Sequence, residues 1–259
     1  MRYAIMSDVH ANPVALETAL ADAREQGCEK FLFLGDVTGY GYDAKAALSI
    51  ARKNFSVVLM GNHDSACLGR EVSLGDVLNP NYDIDRMQSD LLTKTELRWL
   101  GTRRLFRKVD GMALVHGDFV RPEAWNYIFG REEAVENFAA RSEKIMFCGH
   151  THHFAVWEDA GGEGVSCLSA DWKRGPVSAP ESKVFTMAKG ARYIVNVGSV
   201  GYPRNDLFAS YAICDPSDGS FTARRLPFDF RSYVSEMLAR DLRLPMWLCD
   251  VLRAAIGQG

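Results

Sequence analysis

Short apolar runs recur along the first 150 residues, and each is cut off by polar residues that include Asp, Asn or His. RYAIMS, KFLFLG and FSVVLMG are continuous enough to be strands buried on both faces, as in a parallel sheet covered by helices. Between the first two, Leu16, Ala19, Leu20 and Ala23 recur at helical spacing. The ends of that helix are marked: Asn12 can cap it, Pro13 suits its first position and Gly27 can stop it. Asp43 can cap a second helix through Ala47, Ile50 and Ala51. This βαβαβ order predicts parallel strands with right-handed crossovers, and a ligand edge where the loops after the strands gather.

Two more buried runs, MALVHG and KIMFCG, bracket the helical stretch REEAVENFAARS. From about residue 154 the texture changes: FAVWED, KVFTM, RYIVNVGS, ASYAICD and FTARRL follow one another without helices, which predicts a second, largely antiparallel or mixed sheet. Residues 70 to about 104 form a less regular, partly helical insertion around Met87, Leu91 and Leu92, the stretch 159 to 182 is a long surface excursion, and terminal helices start at about 230. The expected fold class is α/β: a four-layer α/β/β/α sandwich of two packed mixed sheets with helices outside, in a single domain over residues 1–259.

Composition narrows the function. A chain of 259 residues with 47% hydrophobic content can bury a large core, which excludes disorder. Thirty basic residues against thirty-three acidic ones leave a net charge of −3 and no visible Lys/Arg stripe, so nucleic acid is not an expected partner and any phosphate recognition must be local. The apolar start, MRYAIM, is too short for a signal-peptide core or a membrane span, and the expected location is the cytoplasm. The six cysteines form no CxxC pair and read as small buried residues of a reducing compartment.

The histidines do not scatter. SDVH follows RYAIM, GNHD follows SVVLM, HGD follows MALV and GHTHH follows KIMFC, while the histidine-free GD follows KFLFL. Strand ends that carry Asp8, His10, Asp36, Asn62, His63, His116, His150 and His152 would therefore converge on one edge, and an extended backbone at Asn62 and His63 would send those two side chains in opposing directions. Mixed carboxylate and imidazole donors select divalent transition metals, and there are more of them than one tetrahedral ion needs. Two ions sharing a bridging carboxylate use them economically, with Asp36 as the natural bridge.

The ordered set Asp8-Val9-His10, Gly35-Asp36, Gly61-Asn62-His63-Asp64, His116-Gly117 and Gly149-His150-Thr151-His152, followed by NVGSVGYPR, resembles the calcineurin-like metallophosphoesterases, and in particular a compact bacterial and archaeal phosphodiesterase-like branch. Each short motif is weak alone; their order is specific. The resemblance implies one metal on Asp8, His10, Asp36 and His152, a second on Asp36, Asn62, His116 and His150, and His63 off the metals as phosphate contact and general acid with Asp64 orienting its ring. It implies two divalent transition-metal ions (Mn, Fe, Zn, Co or Ni) and a small phosphorylated substrate, nucleotides included, cleaved as a mono- or diester by attack of a metal-activated hydroxide. A neutral amide at Asn62 ligates without cancelling the positive charge that draws phosphate.

Around this centre, Arg204 is a candidate phosphate contact through its guanidinium fork, and Tyr40 and Tyr42 are candidate cleft walls for a nucleobase. Asp118 stands where small residues are common in that branch and is expected to narrow or recharge the cleft. Two other readings remain. A protein serine/threonine phosphatase is the family's best-known activity, but the chain lacks the longer insertions of those enzymes. A non-catalytic scaffold, as in the family's retromer subunit, would be favoured by loss of the acid histidine, which this chain keeps as His63.

Overall fold

The structure, a computed structural model, describes residues 1–70, 83–162, 164–169, 177–203, 208–240 and 257. Strands β1 (Tyr3–Met6), β2 (Lys30–Phe33) and β3 (Val57–Val58) are parallel neighbours, joined through α1 (Pro13–Glu25) and α2 (Ala44–Asn54). Both helices start as their sequences require: Ala15 N donates to Asn12 Oδ1 at 3.1 Å, and Ala46 N to Asp43 Oδ1 at 2.9 Å. Gly27 ends α1 at φ 75°, a conformation open to glycine at little cost.

The strands do not sort by halves of the chain as their texture suggested. MALV and IMFC form β5 (Met112–Val115) and β6 (Ile145–Cys148), which lie parallel in a second sheet across α6 (Arg131–Ala140). The later strands are shared out: β11 (Phe208–Asp215), β12 (Ser220–Pro227) and β9 (Glu181–Thr186) extend the first sheet antiparallel from β1. In the second sheet β10 (Arg192–Val197) runs parallel to β6, followed by β7 (Phe154–Asp159) and β8 (Val165–Cys167), with β4 (Phe106–Val109) on the far edge. An apolar run records that a strand is buried, not which neighbour it pairs with.

Alternation along the strands builds the layers. Tyr3, Ile5, Leu32 and Leu34 meet Met112, Leu114, Phe147, Tyr193 and Val195 between the sheets. Ala4, Met6 and Phe33 pack outward on Leu16, Leu20 and Leu48 of α1 and α2, and Val115, Met146 and Ile194 pack outward with Ala134 and Phe138 of α6. The result is the four-layer α/β/β/α sandwich.

Within the insertion, α4 (Asp83–Leu91) and α5 (Lys94–Gly101) are helical, and α7 (Phe230–Ala239) packs Tyr233, Val234 and Met237 against Ile84 of α4. The other terminal helix expected after 240 lies outside the described residues. Cys28, Cys67, Cys148 and Cys214 are buried free thiols. Among the described residues no helix is long and apolar enough to cross a membrane. The polar clusters follow the C-terminal ends of β1, β2, β3, β5 and β6, so the loops of both sheets share one edge.

Candidate active site

Asp8, His10, Asp36, Asn62, His116, His150 and His152 come together at that edge, and none is more than 5% exposed. The two carboxylates are built alike. Asp8 Oδ2 accepts the His150 backbone N–H at 3.0 Å and Asp36 Oδ1 accepts the His63 backbone N–H at 2.9 Å. Their other oxygens, Asp8 Oδ1 and Asp36 Oδ2, are buried with no hydrogen-bond partner. A buried bare carboxylate oxygen is costly unless something positive meets it.

Imidazoles surround those bare atoms. Asp36 Oδ2 lies 3.3 Å from His116 Nε2 and 3.7 Å from His10 Nε2, whereas Asp8 Oδ1 lies 3.3 Å from His152 Nε2 and 3.7 Å from His10 Nε2. His10 Nδ1 is spent on the Thr38 carbonyl at 3.0 Å, His152 Nδ1 on the Tyr202 carbonyl at 2.6 Å, and His150 Nε2 on the Trp125 carbonyl at 2.8 Å. Each carbonyl fixes the ring's tautomer and turns the other nitrogen's lone pair inward. His10 Nε2 and His152 Nε2 then face each other at 3.1 Å, which two lone pairs tolerate only with a proton or a cation between them. Asn62 Oδ1 sits 3.1 Å from His116 Nε2. Two triads result, Asp8/His10/His152 and Asp36/His116/His150, with all donor atoms of each inside 4.8 Å. Donors of this kind and spacing fit ions held at roughly 2.0–2.2 Å.

Burial alone would raise both carboxyls. The facing His152 and His116 outweigh it at Asp8, and His116 and His63 outweigh it at Asp36, so both stay well below the usual carboxylate range. Burial lowers His10 to about 4 and His150 to about 3, keeping them neutral donors. The edge is held in costly backbone: Asp8, His10, Asp36, His150 and His152 all have positive φ, between 49° and 68°. Gly61 is required where it stands, since a Cβ there would collide with the Asp36 carboxylate. Asn196, near the end of β10, and Ser199, just after it, brace the loops: Asn196 Nδ2 donates to the Gly149 carbonyl at 2.6 Å and Ser199 Oγ to the Asp8 carbonyl at 2.8 Å.

Residues 1–219 match the model of the calcineurin-like phosphoesterase superfamily domain. The chain belongs to this superfamily. It is 29% identical over 256 residues to the uncharacterized protein MJ0912 of Methanocaldococcus jannaschii, covering 96% of each chain. Its fold matches the crystal structure of a metallophosphoesterase from Sphaerobacter thermophilus with a TM-score of 0.81 and 31% identity, covering 98% of this chain and 99% of that one. A calcineurin-like phosphoesterase is a hydrolase of phosphate esters, and the clustered Asp and His side chains of this one could hold metal.

The GNHD segment differs from its sequence reading in two ways. Its backbone is not extended: Asn62–Cys67 form the short helix α3, with Asp64 reaching back to the Gly61 N–H at 3.1 Å. Asp64 also does not orient His63. Its carboxylate accepts the backbone N–H groups of Asp36, Val37 and Thr38 at 2.9 to 3.1 Å and the Thr38 hydroxyl at 3.1 Å, so it fastens the loop after β2 to α3. Asp85 of α4 takes the orienting place, with Oδ2 2.8 Å from His63 Nδ1. No local motif marks Asp85, because it arrives from the insertion 22 residues further along. Burial lowers the His63 imidazole, but the carboxylates of Asp85 and Asp36 outweigh it and the net shift is upward. His63 also stands with His10 and Asp36 as a third group of donors within 4.8 Å.

Tyr40 does reach the site, but its ring is packed between His63 at 4.5 Å, His10 at 4.7 Å and a parallel Tyr202 at 4.5 Å, which leaves it a wall and not an open platform. Tyr42 turns away and stacks on Tyr233 of α7 at 5.0 Å. Asp118 is buried and accepts from Arg121 N and Asn126 Nδ2, both at 3.0 Å, closing its own loop. Arg204 lies outside the described residues.

Proposed function

We propose that this phosphoesterase hydrolyses small phosphate esters at a two-metal centre, with Asp8, His10, Asp36 and His152 on one ion, Asp36, Asn62, His116 and His150 on the other, and His63 as general acid. The observation that carries this reading is the pair of buried bare oxygens, Asp8 Oδ1 and Asp36 Oδ2, set among the imidazoles of His10, His116 and His152, with His10 and His152 each turned inward by a backbone carbonyl on the other ring nitrogen. Two divalent cations, when bound, supply the positive charge that draws an ester phosphate and activates water against phosphorus.

The chain's own residues do the rest. Asp36 would serve both ions; its Oδ1 is already fixed by the His63 N–H, which leaves Oδ2 bare. Asn62 contributes a neutral oxygen and so preserves the local positive excess. His63, with its Nδ1–H donating to Asp85, presents its other nitrogen to the departing oxygen and delivers the proton that an alkoxide leaving group needs. Tyr40 and Tyr202 wall the cleft beside His10 and His63, and Arg204 is assigned to phosphate on its sequence position alone.

The test is a panel of phosphomonoesters, cyclic nucleotides, dinucleoside polyphosphates, phosphodiesters and a phosphopeptide, each assayed with Mn, Fe, Zn, Co and Ni. Turnover of at least one small ester in a metal-dependent manner is expected. Turnover of the phosphopeptide alone would favour a protein phosphatase, and inertness towards every ester with every metal would overturn the reading.

A further inference from the structure

We infer that Tyr127 and Phe129 form the subsite for the organic half of the substrate, and that this half carries a planar nucleobase. The inference rests on the proposed phosphate-ester reading and adds the substrate class to it.

The loop that leaves β5 directly after His116 returns to the site through residues 125 to 129. Its side chains alternate. Asn126 points in to Asp118 and Ile128 is 2% exposed in the core under α6, whereas Tyr127 is 40% exposed and Phe129 55% exposed. The two exposed rings are stacked on each other at 4.9 Å and 25°, and Tyr127 lies flat on His150 at 4.1 Å and 4°. A ladder of parallel rings therefore runs from a candidate metal ligand out to solvent, ending at Phe129.

This arrangement is held in place before any ligand arrives. Asp118 closes the loop through Arg121 N and Asn126 Nδ2, the Trp125 carbonyl takes His150 Nε2 at 2.8 Å, and Trp125 itself is kept at φ 55°. Exposed aromatic carbon fixed beside a polar catalytic edge is expensive to leave wet and marks a contact surface. Its continuity with the His150 ring points to the group attached to the bound phosphate as the occupant. Flat parallel rings suit a planar partner, and base-on-aromatic stacking needs no hydrogen bonds. Tyr127, sandwiched between His150 and Phe129, supports the subsite and Phe129 offers the stacking face; Tyr40 is likewise covered, by Tyr202, and offers none beside it.

The test uses metal-loaded protein and two hydrolysis-resistant phosphonates, the isosteres of adenosine 5′-monophosphate and of ribose 5-phosphate. They present the same head group and sugar and differ in the base. Dissociation constants are measured by calorimetry for the wild type, Phe129→Ala and Phe129→Trp. The wild type should bind the adenosine compound about 5- to 150-fold tighter than the ribose compound. That preference should collapse towards unity in Phe129→Ala and be kept in Phe129→Trp. Equal affinity of the wild type for both compounds, or a preference untouched by Phe129→Ala, would overturn the subsite while leaving the phosphate-ester reading standing. Failure of the wild type to bind either compound would overturn that reading and the subsite with it.

Discussion

His63 Nδ1 lies 2.8 Å from Asp85 Oδ2, and both side chains are buried, one at the start of α3 and the other on the helix of the insertion. The insertion is therefore part of the site. Gln88, one turn further along α4, accepts the Gly39 N–H at 2.8 Å and donates to the Gly41 carbonyl at 2.9 Å, so the same helix holds the loop that carries Tyr40.

If His63 is the acid and Asp85 its positioning residue, removing either should hurt esters in proportion to their need for a proton. His63→Ala should lower turnover of alkyl esters by about 10² to 10⁴-fold. Esters of nitrophenol, whose leaving group is a stable anion, should lose much less. Asp85→Asn should show the same ranking with a smaller loss, since an amide oxygen can still accept from Nδ1–H but carries no charge. Metal content should be retained in both. An equal loss for the two ester types, or loss of an ion, would show that His63 is not chiefly the acid.

Asp64 has a different job, and the same assay separates it. Asp64→Ala leaves the N–H groups of Gly61, Asp36, Val37 and Thr38 without their common acceptor. Unsatisfied buried donors cost about 1–3 kcal/mol each, less whatever water recovers, so unfolding stability should drop by about 3 kcal/mol or more. Urea denaturation checks this. A variant of unchanged stability that lost only alkyl-ester turnover would return Asp64 to the role of orienting His63.

Much of this was legible in the sequence, for physical reasons that particular residues illustrate. Asp8, Asp36 and His150 could be read because each follows an unbroken apolar run, and parallel strands bring such ends to one edge. Asn12 and Asp43 announced their helices because capping chemistry is local. Asp85 could not be read, since its partner His63 is distant along the chain and nothing in DIDRMQ marks a carboxylate that points inward. The sharing of strands between the sheets was hidden for a related reason: ASYAICD is equally apolar whichever edge it completes. The helical start at Asn62 was missed because a six-residue helix shows no periodicity.

A scaffold prediction concerns Glu143, which stands just before β6, at the opposite end of that strand from the loop bearing His150 and His152. Its carboxylate accepts from Arg141 Nη2 at 2.8 Å and Arg141 Nε at 3.2 Å, and pairs with Lys108 at 3.3 Å. Burial would raise this group, but those partners bring it down to about 2. A depressed carboxyl adds stability that is present above its unfolded value of about 4.3 and is lost as the pH falls through the folded value. The stability gap between wild type and Glu143→Gln should therefore be widest at pH 7 and shrink as the pH falls from about 4.3 towards about 2. Urea midpoints at pH 7, 4 and 3 check it; a gap that stays constant would mean that the charge contributes nothing.

The central claim is that Asp36 joins two metal ions, and metal analysis of purified protein after supplementation with a divalent transition metal tests it most directly. The wild type should hold about two ions per chain. Asp36→Asn, which keeps the shape but removes the charge of the bare Oδ2, should hold clearly fewer and lose ester turnover in step. A folded wild type that takes up no metal, or an Asp36→Asn protein with undiminished occupancy, would contradict the account.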